Sequence, residues 1–158
     1  MIDRVAGGEQ LRSVLRRQPV GVVVVTVDLE GERLGLTVAS FVSLALEPPL
    51  VGISIARQAA LHELLRAAGG FAVSLLAADQ VELARHFARG VPPLVLWQEI
   101  ETLPGQRAPL LAGAVGWLDC GLEAELGAGD HTFFVGRVER AALGVAGPAL
   151  VRVAGDYA

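Results

Sequence analysis

The sequence predicts a mainly β protein with a few helices, an antiparallel barrel decorated by helices. Three observations predict it. Apolar, β-branched runs of strand length recur along the chain, as in Val20–Val27. Turn-forming stretches such as Asp28-Leu29-Glu30-Gly31 and Gly127-Ala128-Gly129-Asp130 join successive runs as hairpins. The regular strand–helix alternation of a doubly wound sheet is missing.

Taken in order, Gly8 to Gln18 reads as an opening helix, because Leu11, Val14 and Leu15 share one face and Pro19 stops it. Val20 to Val27 is dense in β-branched residues and reads as a buried strand. The turn at 28–31 leads into a long second strand from Leu34 to Leu46, ended by Pro48-Pro49. Leu50 to Ile55 is a further strand. Gln58 to Ala68 is helical and stops at Gly69-Gly70, and Phe71 to Leu76 is again a strand. Asp79 is expected to cap a short helix through Arg89, since its carboxylate can accept the orphan amides of the first turn. A proline-rich loop with Trp97 follows. The chain then returns to strand over Val115–Leu126 and His131–Ala142, with a last strand near Ala149–Val153. No repeat or linker interrupts the 158 residues, which suit a single domain.

Composition narrows the chemistry. With 53% hydrophobic and 19% charged residues the chain is ordered, and apolar enough that a second copy is expected to cover part of its surface. The net charge of −4 and the scattered arginines argue against a nucleic-acid surface. All 13 basic residues are arginine, so lysine Schiff-base chemistry is excluded. There is no asparagine, which leaves anion binding to arginine, hydroxyls and backbone amides. The single cysteine, Cys120, permits no intrachain disulfide and reads as an inert core thiol. Apolar stretches such as Pro109–Leu118 are too short to span a membrane, and the N-terminal MIDRVAGGEQ lacks the apolar run of a signal peptide. A cytoplasmic protein is the expectation.

Nucleotide motifs of the common kinds fail. Gly127-Ala128-Gly129 begins a G-x-G-x-x-G pattern, but Thr132 stands at the third glycine, and a P-loop needs a lysine. The most informative segment is Gly35 to Leu44, where hydroxyls recur at Thr37, Ser40 and Ser43. On one continuous strand Thr37 and Ser43 share a face and Ser40 takes the other. Such hydroxyls suit a phosphate or flavin edge, and equally an ordinary half-exposed strand, since strands favour threonine.

The chain resembles the flavin reductase-like, FMN-binding split-barrel family, which includes the small reductase components of two-component flavin monooxygenases. The matching pieces run in order over nearly its whole length. They are Pro19–Thr26, Gly35–Phe41, Ser43–Val51, Gly70–Leu76, Leu83–Ala88, Trp97, Pro109–Leu111 through Leu118–Cys120, Gly129-Asp130-His131 and Val135–Val138. The resemblance implies a split antiparallel β-barrel of Greek-key type, a homodimer, FMN or FAD as cofactor, NADH or NADPH as co-substrate, and an oxygenase partner that receives reduced flavin. It implies that Thr37, Val38, Ala39 and Ser40 line the flavin, with Thr37 near the ring and Ser40 near the ribityl chain or phosphate. Ser54, Ile55, Ala56 and Arg57 would form the second wall, with Arg57 at the phosphate, and Phe87 and Arg89 lie at a further contact region. His131 would position the nicotinamide.

Two positions depart from the family pattern. Ala39 stands where serine or asparagine is frequent, and Ala45 replaces a serine. A side-chain hydrogen bond to the flavin is therefore missing at residue 39, which leaves FMN and FAD equally open. A flavin-binding or electron-transfer protein without reductase activity, an oxidase of the pyridoxamine-phosphate type and a non-enzymatic apolar dimer are the rival readings. His62 and His86 fall in helical patterns and are expected to be solvated. Trp97 either packs on the flavin or pins its loop. The pairs Glu99/Glu101 and Glu123/Glu125 read as solvated strand faces.

Overall fold

The structure, a computed structural model, describes residues 7–158. The first six residues, which carry part of the reading against a signal peptide, lie outside the described residues. Four helices and twelve strands follow one another as α1 (Gly8–Leu15), β1 (Val20–Gly21), β2 (Val23–Leu29), β3 (Glu32–Val38), β4 (Val42–Leu46), β5 (Pro49–Ala56), α2 (Ala60–Ala68), β6 (Gly70–Leu75), α3 (Val81–Ala88), α4 (Pro93–Leu96), β7 (Thr102–Leu103), β8 (Leu110–Leu111), β9 (Gly116–Ala128), β10 (His131–Leu143), β11 (Val151–Val153) and β12 (Asp156–Tyr157). The fold is mainly β, and every named strand pairing is antiparallel.

Seven strands form the main sheet in the order β3-β2-β6-β9-β10-β5-β4. Its two edge strands, β3 and β4, are consecutive in the chain and joined only by residues 39–41. Four peptide steps reach at most about 14 Å from Val38 to Val42. A flat sheet of this order would hold its edges about 29 Å apart, at ~4.8 Å per strand gap. The sheet therefore curls until β3 and β4 approach at that end, although they share no ladder.

The curl encloses the larger core. Val25 and Val27 of β2, Ile53 and Ile55 of β5, Phe71 and Val73 of β6 and Phe134 of β10 are fully buried there, packed against Leu61 and Leu65 of α2. Each such side chain contributes ~1.5–3 kcal/mol relative to exposure. On the opposite side, Val24 of β2 and Val22 just before it pack a second core with Leu76, Phe87 of α3, Leu96 of α4 and Leu150.

Several elements depart from the sequence expectations, each for a physical reason. The strand expected over Val20–Val27 is two: Val22 bonds to Leu150 and Leu76 outside the ladders, which moves the chain from a small sheet with β11 into the main sheet. The strand expected over Leu34–Leu46 also breaks, at 39–41, so Thr37 and Ser43 lie on opposite edges of the sheet and share no face. The opening helix stops at Leu15, short of Gln18, and none of its side chains is buried. Asp79 does not cap α3; Gln80 is the N-cap, and its side chain joins the Ala77 amide to the Ala112 carbonyl. Glu99 sits in a turn at φ 61°, so it shares no strand face with Glu101.

Candidate active site

The break at 39–41 builds the site. The β4–β5 ladder ends where Val42 faces Gly52, and the same register continued places residue 40 opposite Ser54. Ser40 occupies that place with its side chain: its hydroxyl donates to the Ser54 carbonyl, and the Ser54 amide donates back to Ser40 Oγ, both at 3.0 Å. The two stretches expected to form the cradle, Thr37–Ser40 and Ser54–Arg57, are therefore in direct contact.

The second wall runs into the β9–β10 turn. His131 pairs with Ala56 across β5 and β10. The Arg57 amide donates to the Asp130 carbonyl at 3.0 Å, and the Arg57 guanidinium donates to the Gly129 carbonyl. Gly129 takes φ 59°, a left-handed value that glycine adopts without penalty. His131 Nδ1 lies 2.7 Å from Asp130 Oδ1. That hydrogen bond is the main reason the Asp130 carboxyl sits below the usual carboxylate range. A carboxylate accepts only, so Nδ1 donates in this bond and Nε2 is left for another partner.

Ala39, Ser40 and His131 face one cleft of about 890 Å³. Its other lining is one the sequence reading did not foresee: Leu11 and Leu15 of α1, Arg16 just after it, and the C-terminal segment around Arg152.

The remaining expected site residues lie elsewhere. Val38 and Ile55 are core residues. The Thr37 hydroxyl donates to the Ala84 carbonyl at 2.6 Å and ties β3 to α3. Phe87, 2% exposed, is a core ring that approaches the backbone of Gly35 so closely that a Cβ there would lie 2.6 Å away. Arg89 is exposed at the end of α3, 3.4 Å from His86 Nδ1. None of Thr37, Val38, Ser54, Ile55, Ala56, Arg57, Phe87 or Arg89 is among the residues that line the cleft. Trp97 pins its loop, donating to the Arg33 carbonyl at 3.0 Å and packing on Phe87.

Two histidines are not solvated as expected. His62 is buried, with Nε2 2.8 Å from Thr132 Oγ1 and Nδ1 2.6 Å from Glu63. His86 is half-buried, with Nε2 2.7 Å from the Leu96 carbonyl. A solvated-face reading fails for both because each ring bridges its helix to another element. Cys120 is the inert core thiol expected: burial, then the charges of Asp119 and Glu139, push its pKa up to about 12.

Comparison with known proteins adds a second line of observation. A family model described as a flavin reductase like domain matches residues 15–157. An NADH-dependent FAD reductase of Streptomyces globisporus is 44% identical over 133 residues, covering 82% of this chain and 72% of that one. The reductase component of 4-hydroxyphenylacetate 3-monooxygenase from Thermus thermophilus is 40% identical over 143 residues, 90% of each protein. Among solved structures, the Streptomyces globisporus NADH:FAD oxidoreductase SgcE6 in complex with NAD and FAD fragments superposes with a TM-score of 0.90 at 37% identity, covering 99% of this chain and 96% of that one.

Proposed function

The chain belongs to the flavin reductase-like family, and from this we infer that it is an NAD(P)H:flavin oxidoreductase that reduces FMN or FAD and supplies the product to a partner monooxygenase. The observation that supports the reading best is the Ser40–Ser54 junction, which joins the two expected flavin-lining stretches at the edge of a cleft lined by Ala39, Ser40 and His131.

The residues present fit a flavin. Ser40 has donated its proton to Ser54 but keeps an unshared lone pair, so it can accept from a ribityl hydroxyl. Ala39 adds no bulk, and its short side chain leaves room for a flat ring against the backbone. When bound, a flavin supplies the hydride-accepting chemistry that the side chains lack. The chain's own part is orientation: the Arg57–Gly129 and Ser40–Ser54 bonds fix the two walls, and Asp130 holds the His131 ring in one orientation and tautomer. We assign His131 to positioning the nicotinamide, with Ser54, Ile55, Ala56 and Arg57 as the second wall and Thr37, Val38, Phe87 and Arg89 supporting the cradle from behind.

We further propose a split barrel of Greek-key type, one domain over residues 1–158. The short β3–β4 link, which forces the curl, supports it. A cytoplasmic homodimer is the accompanying proposal. Val42, Leu44 and Leu46 on the open edge strand β4 are 42%, 44% and 86% exposed, an edge a monomer rarely leaves bare. Among the described residues no helix is long and apolar enough to cross a membrane.

The test is an absorbance spectrum after incubation with FMN or FAD, followed by NADH. Perturbed flavin bands that bleach on NADH addition are the expected result; a protein that takes up neither flavin refutes the reading. His131→Ala is expected to raise the KM for NADH by about tenfold, the equivalent of ~1.4 kcal/mol of lost binding. Flavin should still bind. Steady-state reduction kinetics equal to wild type would remove His131 from the site.

A further inference from the structure

A dinucleotide presents a diphosphate, whose oxygens only accept hydrogen bonds. Two hydroxyls of the cradle wall already donate within the protein, and Arg57 gives one of its bonds to the Gly129 carbonyl. Ser40 has spent its proton on the Ser54 carbonyl, and Thr37 has spent its own on Ala84. The opposite wall of the cleft is different. Arg12, Arg16 and Arg152 line it, and among the described residues no aspartate or glutamate does, in a chain with 17 acidic against 13 basic side chains. Arg12 is paired with Glu9 at 3.2 Å. Among the described residues, neither Arg16 nor Arg152 has a carboxylate partner.

Both arginines are mounted on bonded backbone. The Arg16 carbonyl accepts from the Ala154 amide at 2.6 Å, and its guanidinium lies so close over Gly155 that a Cβ there would overlap it. Arg152 belongs to the central strand of the small sheet, facing Val20 on one side and Tyr157 on the other. Leu11 and Leu15, 54% and 51% exposed, offer an apolar surface beside them that suits a planar base. A guanidinium donates two parallel bonds to phosphate oxygens, so two arginines without a carboxylate partner that line one cleft suit a phosphate.

We propose that Arg16 and Arg152 form a subsite for the diphosphate of a dinucleotide bound in the same cleft as Ala39, Ser40 and His131. The identity of the dinucleotide rests on the reductase reading, and both NAD(P)H and FAD carry this group. The subsite itself can be tested without turnover.

The probe is ADP-ribose, which has the adenine and diphosphate but no redox-active ring. Calorimetry on the whole chain is expected to show it bound, and bound at least about tenfold more weakly by Arg16→Gln/Arg152→Gln, since charge-assisted bonds are lost. FMN, which lacks a diphosphate, should bind the double variant as it binds the wild type. A raised KM for NADH with unchanged kcat identifies the nicotinamide dinucleotide as the occupant; a fall in FAD affinity relative to FMN identifies the flavin. Either supports the proposal. Arg16→Lys/Arg152→Lys keeps both charges and should retain most of the ADP-ribose affinity. The proposal is overturned if ADP-ribose does not bind, if the glutamine variant binds it as well as wild type does, if FMN binding falls equally, or if the lysine variant loses as much as the glutamine one. A wild-type protein that binds ADP-ribose but does not reduce flavin would sink the reductase reading alone.

Discussion

Phe134→Ala is expected to destabilise the protein by about 3–5 kcal/mol, the largest loss any single substitution here should produce. The ring is fully buried on β10, between strands β9 and β5, and belongs to the larger core. Its centroid lies 5.2 Å from that of His62, which reaches β10 through Thr132 Oγ1. Truncation removes the transfer free energy of the ring and leaves a void that neighbouring strands, held in ladders on both sides, cannot collapse to fill. The same void takes the packing partner of a buried imidazole. Denaturant unfolding gives the measurement: the midpoint should fall while the m-value stays at its wild-type value. A loss below about 1 kcal/mol would mean that the curled sheet repacks freely around this position, which contradicts a close-packed interior.

Ser40→Ala is expected to weaken flavin binding by about tenfold, for a stability loss of only ~1–2 kcal/mol. One hydroxyl both donates to and accepts from Ser54, at a point where β5 has run out of partner strand on that side. Alanine leaves both backbone groups of Ser54 to water and frees the 39–41 link, which is a wall of the cleft. The binding loss exceeds what the missing hydrogen bonds cost in stability because the wall must be ordered again by the ligand. Ser40→Thr keeps the hydroxyl and should recover much of the affinity. Quenching of flavin fluorescence, with a thermal melt on the same samples, separates the two effects. Wild-type flavin affinity in the alanine variant would show that the Ser40–Ser54 junction does not shape the flavin site.

Much of the fold was legible because the signals are local. The β-branched run around Val23–Val27, the turn at Glu30-Gly31 and the long hairpin about Gly129 occur essentially where the pattern places them. Cys120 was legible as a core thiol for the same reason: an apolar strand surrounds it. What failed were readings that treated a segment as uniform. Leu34 to Leu46 has strand composition throughout, yet breaks at 39–41 because the chain must cross from one edge of the curled sheet to the other. His62 and His86 sit in helical patterns that say nothing of what stands opposite them, and Thr132 and the Leu96 carbonyl do stand there.

The candidate site divides in the same way. The family resemblance, read from ordered pieces of sequence, named Ala39, Ser40 and His131, and the cleft contains them. It also named Thr37, Phe87 and Arg89, which lie on the α3 side, and Val38 and Ser54–Arg57, and all of these fall outside the cleft lining. Nothing local marked α1 and the Arg152 strand as the facing wall. By itself the sequence determined the strand-forming runs, the turns, the apolar core and the family, since these follow from side-chain type and short-range order. Only the tertiary structure decided that Ser40 closes on Ser54 and that Arg16 and Arg152 line the same cleft as His131, with no carboxylate among its described lining residues. Those are contacts between segments far apart in the chain, and their energies exist only once the curled sheet has brought the segments together.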